Sequence, residues 1–410
     1  MGAMRRALQI AGLVFALALA ALFTLDLRHA PSAPGPTAVS WLVSRGRFLA
    51  GSGQAEIHVP YPVVPAGYGP KDRHDVWSAA QPQMARAISV QVGQVKLTLV
   101  SVDLLEIDSR LMADLAPRLP RSADHVWVCA THTHSGMGNY DPNPLAQLAG
   151  TGRFKKAARD ALLAAIRQAV TQSRASLRPA TLSVGSLDLS ALLRDRSRGG
   201  DPPGGAATRL AFATTDGGFD AVIWGAHPTK VPRPAHALDA DFPAALRPAL
   251  FFQGAGGNAS LRGPLDRRAL DSLEHLPTAP VDAGALTLAS GRVGLPPVQI
   301  HSGPRFTRRA AANLVGRLAA PRTAPLDVAR LGPLTLIAVP GEPTAAAGRA
   351  LQKAAGDPNA IVMGLCNGYV GYIETPDRVK QGIGESKRQY FDSSLLARFT
   401  RIAKALAAKP

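Results

Sequence analysis

Five times along this chain of 410 residues an apolar, strand-like run gives way abruptly to side chains capable of chemistry. The first runs Val126-Trp127-Val128-Cys129-Ala130 into Thr131-His132-Thr133-His134-Ser135-Gly136. Side chains two apart in an extended chain share a face, so His132 and His134 would point the same way. Imidazole is the commonest zinc ligand, and two histidines at the end of a buried strand read as a site. The second, Ile223-Trp224-Gly225-Ala226-His227-Pro228-Thr229, delivers one histidine into a turn; alone it reads equally as a structural histidine. In the third, Leu250-Phe251-Phe252-Gln253 is followed by Gly254-Ala255-Gly256-Gly257-Asn258-Ala259-Ser260, where glycines leave backbone N–H groups free beside a hydroxyl. It lacks the Gly-x-Ser-x-Gly elbow of the common serine hydrolases. The fourth, Leu336-Ile337-Ala338-Val339-Pro340-Gly341-Glu342-Pro343-Thr344, puts a carboxylate after a strand and before a helix, where the helix dipole alone would also favour it. The fifth ends Cys366-Asn367-Gly368-Tyr369-Val370-Gly371-Tyr372, whose tyrosines could equally pack. No His-Glu-x-x-His pattern occurs, so any metal site must be assembled from distant segments.

The elements that would position these residues alternate between strand and helix patterns. Residues 88–92 and 95–105 are Val-, Ile- and Leu-rich around Gly93 and predict a hairpin. Residues 210–214 and 221–226 flank Asp216-Gly217-Gly218, a second hairpin signal. Further strands are expected at 125–130, 181–187, 250–254, 334–339 and 361–366. Helices are expected at 153–172, 308–318, 344–355 and 393–408, the first with Leu162, Ile166, Ala169 and Val170 on one face. Hairpins mixed with strand-then-helix units predict an α/β protein, mixed sheets covered by helices, in a single catalytic domain over residues 48–410.

Composition narrows the field. Hydrophobic residues make up 46% of the chain, enough for a sizeable core. Lys and Arg exceed Asp and Glu by 46 to 29, giving +17, but the excess is scattered arginine without the basic stripe and interleaved aromatics of a nucleic-acid surface. Two cysteines, Cys129 and Cys366, cannot form a disulfide framework, and each reads as a small buried hydrophobe in an apolar run. Arg5 and Arg6 precede an uncharged apolar stretch over 7–25. Residues 1–28 therefore read as an uncleaved membrane anchor with a cytoplasmic N-terminus, or as a signal segment cleaved after Ala30 or Ala33. Residues 29–47 read as a Pro/Ala-rich linker. Either way the body would lie on the extracytoplasmic side of a membrane, or be secreted or periplasmic if cleaved.

Taken together and in order, the five segments resemble the neutral ceramidase family. Supporting matches are residues 51–57, Ala66-Gly67-Tyr68-Gly69, Ser101-Val102-Asp103 and Ala240-Asp241-Phe242-Pro243, so that the resemblance extends over about 48–408. It implies a zinc-dependent amidohydrolase acting on ceramide-like N-acyl lipids, with Zn2+ held by His132, His227, Glu342 and Tyr372. It also implies that His134 points at the scissile carbonyl oxygen and that Arg196, in Asp195-Arg196-Ser197, binds the oxyanion; otherwise Arg196 is a solvated loop charge. The attacking group would be a metal-activated water or Ser260. Three departures are visible. Asn258 and Leu261 stand where the family's serine loop has aspartate and proline, and a further family tyrosine falls at Gly384, with Tyr390 the nearest replacement. The family's C-terminal immunoglobulin-like domain has no counterpart in these residues. The alternatives are a zinc hydrolase of another amide or ester, and a membrane-tethered binding protein with impaired turnover.

Overall fold

The computed structural model describes residues 2–25, 39–67, 69–119, 125–197, 201–301 and 304–408. Its frame is two sheets face to face. The larger has the order Leu250–Gln253, Gly217–Trp224, Ala206–Thr214, Arg178–Asp188, Phe48–Glu56, Met84–Val92, Val95–Val102, Val126–Ala130, with Ala279–Val281 on Arg178–Asp188. The smaller runs Ser40–Arg45, Ala285–Gly294, Thr323–Leu331, Leu334–Ala338, Ile361–Met363. Period-two alternation determines which side chains meet. Ile88, Leu97 and Leu99 face Leu286, Leu288 and Leu336 across the inter-sheet core. Their neighbours Ala87 and Val100 face Leu162, Ile166 and Ala169 of the helix Lys156–Ala175. The outer face of the smaller sheet is covered by the helices Ala345–Ala354 and Leu395–Ala407 through Leu351, Phe399 and Leu406. The result is a helix, sheet, sheet, helix stack, in agreement with the mixed α/β expectation.

Both predicted hairpins form, with Val92 opposite Val95 around Gly93 and Thr214 opposite Gly217. The strands that end in chemistry are the ones with parallel neighbours. Val126–Ala130 lies parallel to Val95–Val102, Leu250–Gln253 to Gly217–Trp224, and Ile361–Met363 to Leu334–Ala338. Parallel pairing aligns carboxyl ends, so the five polar segments leave the sheets on one side.

Two expectations are corrected. The stretch read as linker to residue 47 contains the strand Ser40–Arg45, paired along its length with Ala285–Gly294, so the folded body starts earlier than residue 48. Residues 26–38, including the proposed cleavage positions, and Tyr68 lie outside the described residues. Cys129 and Cys366 are joined by a disulfide rather than packing as separate thiols. They oppose each other as an isolated antiparallel bridge with Cα atoms 4.0 Å apart, a pairing that a sequence separation of 237 hides from any local pattern. Closing so long a loop restricts the unfolded chain. Replacing both cysteines by alanine should therefore lower stability by about 3–5 kcal/mol in equilibrium denaturation under oxidising conditions.

At the N-terminus Gly2–Thr24 is helical and leans on the helix Arg305–Leu318, where Asn313 Nδ2 donates to the carbonyls of Leu22 and Leu25. Ile10, Leu13, Phe15 and Leu17 are exposed. Among the described residues no helix is long and apolar enough to cross a membrane.

Candidate metal centre

His132 follows its strand with φ at 69°, a left-handed conformation that costs a non-glycine residue about 1–3 kcal/mol and persists where surroundings enforce it. Its N–H donates to Leu104 O at 2.9 Å, and its ring Nδ1 lies 2.7 Å from Leu105 O. A carbonyl can only accept, so Nδ1 carries the proton and the Nε2 lone pair faces inward. His227 is fixed in the same way, with Nδ1 2.9 Å from Ala259 O. Two separate backbone carbonyls thus impose one tautomer on both histidines.

The inward atoms converge. Glu342 Oε2 lies 3.1 Å from His132 Nε2 and 3.1 Å from His227 Nε2, and Tyr372 Oη is 3.4 Å from His227 Nε2. Glu342 and Tyr372 are brought side by side by a short parallel pairing of Glu342–Pro343 with Tyr372–Ile373. Backbone contact across the seam is close. Gly257 N donates to Pro343 O and Gly364 N to Gln253 O, and a Cβ on Gly257 would lie 2.6 Å from Glu342 O. The disulfide ties the strand before His132 to the loop before Tyr372.

His134 is partly buried, its ring 4.9 Å from that of His132, and nitrogens of His132, His134 and His227 lie within 4.8 Å of one another. Among the described residues neither ring nitrogen of His134 has a hydrogen-bond partner, and His132 Nε2 makes no hydrogen bond despite its approach to Glu342. Buried polar atoms left in this state are costly unless another group completes them. Two imidazole nitrogens, a carboxylate and a phenol directed at one point suit zinc. Gly67, at φ +88°, makes room for His134, since a Cβ there would sit 2.7 Å from Nδ1.

The electrostatics fit this arrangement. Burial, with Arg196 and His132 nearby, pulls His227 down to about 3, and burial with the neighbouring imidazoles holds His134 well below its usual value. Both rings are therefore neutral. Tyr369 Oη donates to Glu342 Oε1 at 2.7 Å, holding the carboxylate with Oε2 toward the histidines.

Arg196 belongs to this cluster and is not a solvated loop charge. Its N–H donates to Asn258 O at 2.9 Å, its Nη2 donates to Tyr372 Oη, and its Nε donates to Glu385 Oε1 at 3.3 Å. Ser260 lies in a parallel bridge beside His227 and is buried. Asn258, the departure before the serine, accepts from Ala345 N at 3.0 Å and donates to Asp201 O at 3.1 Å, joining the serine loop to the helix after Glu342. At Gly384 a side chain is excluded, because φ is +65° and a Cβ would lie 2.3 Å from Glu374 Oε2. Tyr390 is half-exposed and stacks over Gly371, with its ring 6.3 Å from that of Tyr369.

One feature of the site carried no sequence signal. Behind His132, Glu106 and Asp141 are both buried and hydrogen-bonded to each other. Burial and the adjacent Asp141 raise Glu106 well above the carboxylate range, and burial with Asp108 raises Asp141 to about 6. A carboxyl whose folded pKa is raised binds its proton more tightly when folded, so its contribution is present below the unfolded value near 3.8 and is lost as pH rises through about 6. The melting temperature of the parent, compared with that of Asp141→Asn, should fall between pH 4 and 7, and the variant should lack this part of the slope.

Comparison with known proteins follows the same lines. Residues 48–200 match the profile of the neutral/alkaline non-lysosomal ceramidase N-terminal family. The chain is similar in structure to the neutral ceramidase of Pseudomonas aeruginosa, with a TM-score of 0.71 and 20% identity, covering 88% of this chain and 74% of that one. It is equally similar to a ceramidase complexed with C2, with a TM-score of 0.71 and 19% identity over 88% of this chain and 75% of that one. No curated protein matches.

Proposed function

We propose, from the match of residues 48–200 to the neutral/alkaline ceramidase N-terminal family, that this chain is a zinc-dependent hydrolase of the amide bond in ceramide-like N-acyl lipids. The observation that carries the reading is the convergence of His132 Nε2, His227 Nε2, Glu342 Oε2 and Tyr372 Oη, with both histidines held in one tautomer. These four residues would hold the ion. When bound, it supplies Lewis acidity and water of lowered pKa, about 7 in comparable sites.

The chain's own groups account for the rest. An oxygen nucleophile, water or the Ser260 hydroxyl, forms the C–O bond at the amide carbon as negative charge moves to the carbonyl oxygen. Arg196, a permanent cation in a largely buried position, and neutral His134 are the donors available to that charge. The C–N bond then breaks as the amine takes up the proton released by the nucleophile, and the acyl group leaves as fatty acid directly or, if Ser260 attacks, after a water molecule hydrolyses the serine ester. Ser260→Ala should retain zinc and lose at least about tenfold in kcat if the serine attacks or positions the nucleophile; unchanged turnover leaves water as the nucleophile. The same assay on Tyr390→Phe tests whether its hydroxyl replaces the one missing at Gly384.

The whole proposal is tested by elemental analysis of the purified protein together with fatty-acid release from an N-acyl sphingoid lipid. Full zinc with no release from that lipid, but cleavage of other amides or esters, would transfer the reading to a different substrate. Full zinc with no cleavage of any would make the chain a binding protein. We place the body on the extracytoplasmic side of a membrane, held by its N-terminal segment. The Arg5-Arg6 pair followed by the apolar stretch supports this, as does the disulfide, a bond that persists in oxidising compartments. Protease digestion of spheroplasts checks it: a catalytic body protected from added protease would overturn the placement.

A further inference from the structure

Away from the metal centre a cavity of about 570 Å3 opens between the larger sheet and the helix Lys156–Ala175, lined in part by Arg86, Arg209, Arg247, Gln54 and Gln172. The charges around its buried arginines do not balance locally. Arg209 is paired with Asp220 at 2.9 Å, and Glu274 on the rim shares the exposed Arg267, at 3.5 Å, with Asp271. Arg86 and Arg247 have one carboxylate between them, the buried Asp103, whose Oδ2 accepts from Arg247 Nη2 at 2.6 Å and also from Met84 N at 2.8 Å. Arg86 is 5% exposed and donates to Ala249 O at 3.0 Å. Two guanidinium groups against one carboxylate leave about one positive charge uncompensated in a desolvated position, which is costly until a counter-charge arrives. The lining offers that ligand the planar fork that recognises tetrahedral oxyanions.

We propose that this cavity is a binding site for a phosphate-type anion, held by Arg86 and Arg247 against Asp103, with Arg209 and the two glutamines at its walls. Burial of Arg86, with Arg247 beside it, pulls its guanidinium down to about 10 even with Asp103 nearby, as expected of a cation short of partners. The site adjoins the chemistry, since the residues following Asp103, Leu104 and Leu105, supply the two carbonyls that hold His132.

The test is titration calorimetry of inorganic phosphate into the full chain at low chloride, in zinc-loaded and zinc-stripped forms. One saturable site per chain in both forms, with a raised melting temperature, is the expected result. Gln172→Glu keeps the acceptor that takes the Gln54 N–H at 3.1 Å but places a negative charge on the wall. It should fold normally, keep its basal activity and bind phosphate at least about tenfold more weakly. Arg247→Gln should weaken binding similarly where it folds. Phosphatidylcholine vesicles with and without phosphatidic acid identify the source of the anion: binding to the acidic vesicles that Gln172→Glu abolishes points to a lipid headgroup, and response to free phosphate alone points to a soluble anion. Absence of a saturable site, binding only in the zinc-loaded form, or an unchanged affinity in Gln172→Glu would overturn the proposal.

Discussion

His132→Ala should reduce zinc from one per chain to below about a tenth and lower turnover by at least about a thousandfold, and His227→Ala should do the same. Each substitution removes an inward nitrogen whose tautomer is fixed by a backbone carbonyl. Position 132 brings a complication that the experiment must separate, since its φ of 69° is itself unfavourable for alanine. Asparagine tolerates the left-handed region, so His132→Asn restores the backbone and not the ligand. If His132→Asn recovers zinc binding measured by elemental analysis, the imidazole is not a ligand and the metal centre as described is wrong.

The legible part of this protein was the part written in local pattern. Val95, Leu97 and Leu99 alternate with Lys96 and Thr98, and that period of two marks a strand whichever fold contains it. Leu162, Ile166, Ala169 and Val170 mark a helix face equally plainly, and all four are buried against the sheet. The site was legible through the abrupt passage from such runs to histidine, glutamate and tyrosine, combined with the family resemblance. What stayed hidden depends on partners far away in the chain. The disulfide needs two strand ends to oppose each other across a sequence separation of 237. Glu106 reads as one acid among several until folding buries it against Asp141, and Ser40–Arg45 becomes a strand only because Ala285–Gly294 offers an edge. Gly384 looked like a missing tyrosine, but the folded chain gives it a positive φ and no space, so the departure is built into the packing of Glu374 and Arg378.

Arg196→Lys should retain full zinc and lose about a hundred- to a thousandfold in kcat with little change in KM. The expectation rests on geometry more than on charge. Lysine preserves the positive charge but cannot reproduce a planar fork that donates to Tyr372 Oη from one nitrogen and to Glu385 Oε1 from another, while leaving a further N–H for substrate oxygen. Glu385 has a second partner in Arg388 Nη1 at 2.5 Å, so its buried carboxylate is not left alone and the fold should survive. A donor aimed at charge that develops only during reaction lowers the barrier without tightening the ground state, which is why the loss belongs in kcat. The competing role is that Arg196 merely orients Tyr372. In that case zinc content would fall together with turnover in Arg196→Lys, and the apparent zinc affinity, measured by competition with a chelator, would weaken in step with kcat. Metal content and kcat measured on the same preparation therefore separate an arginine that acts on the substrate from one that only positions a ligand.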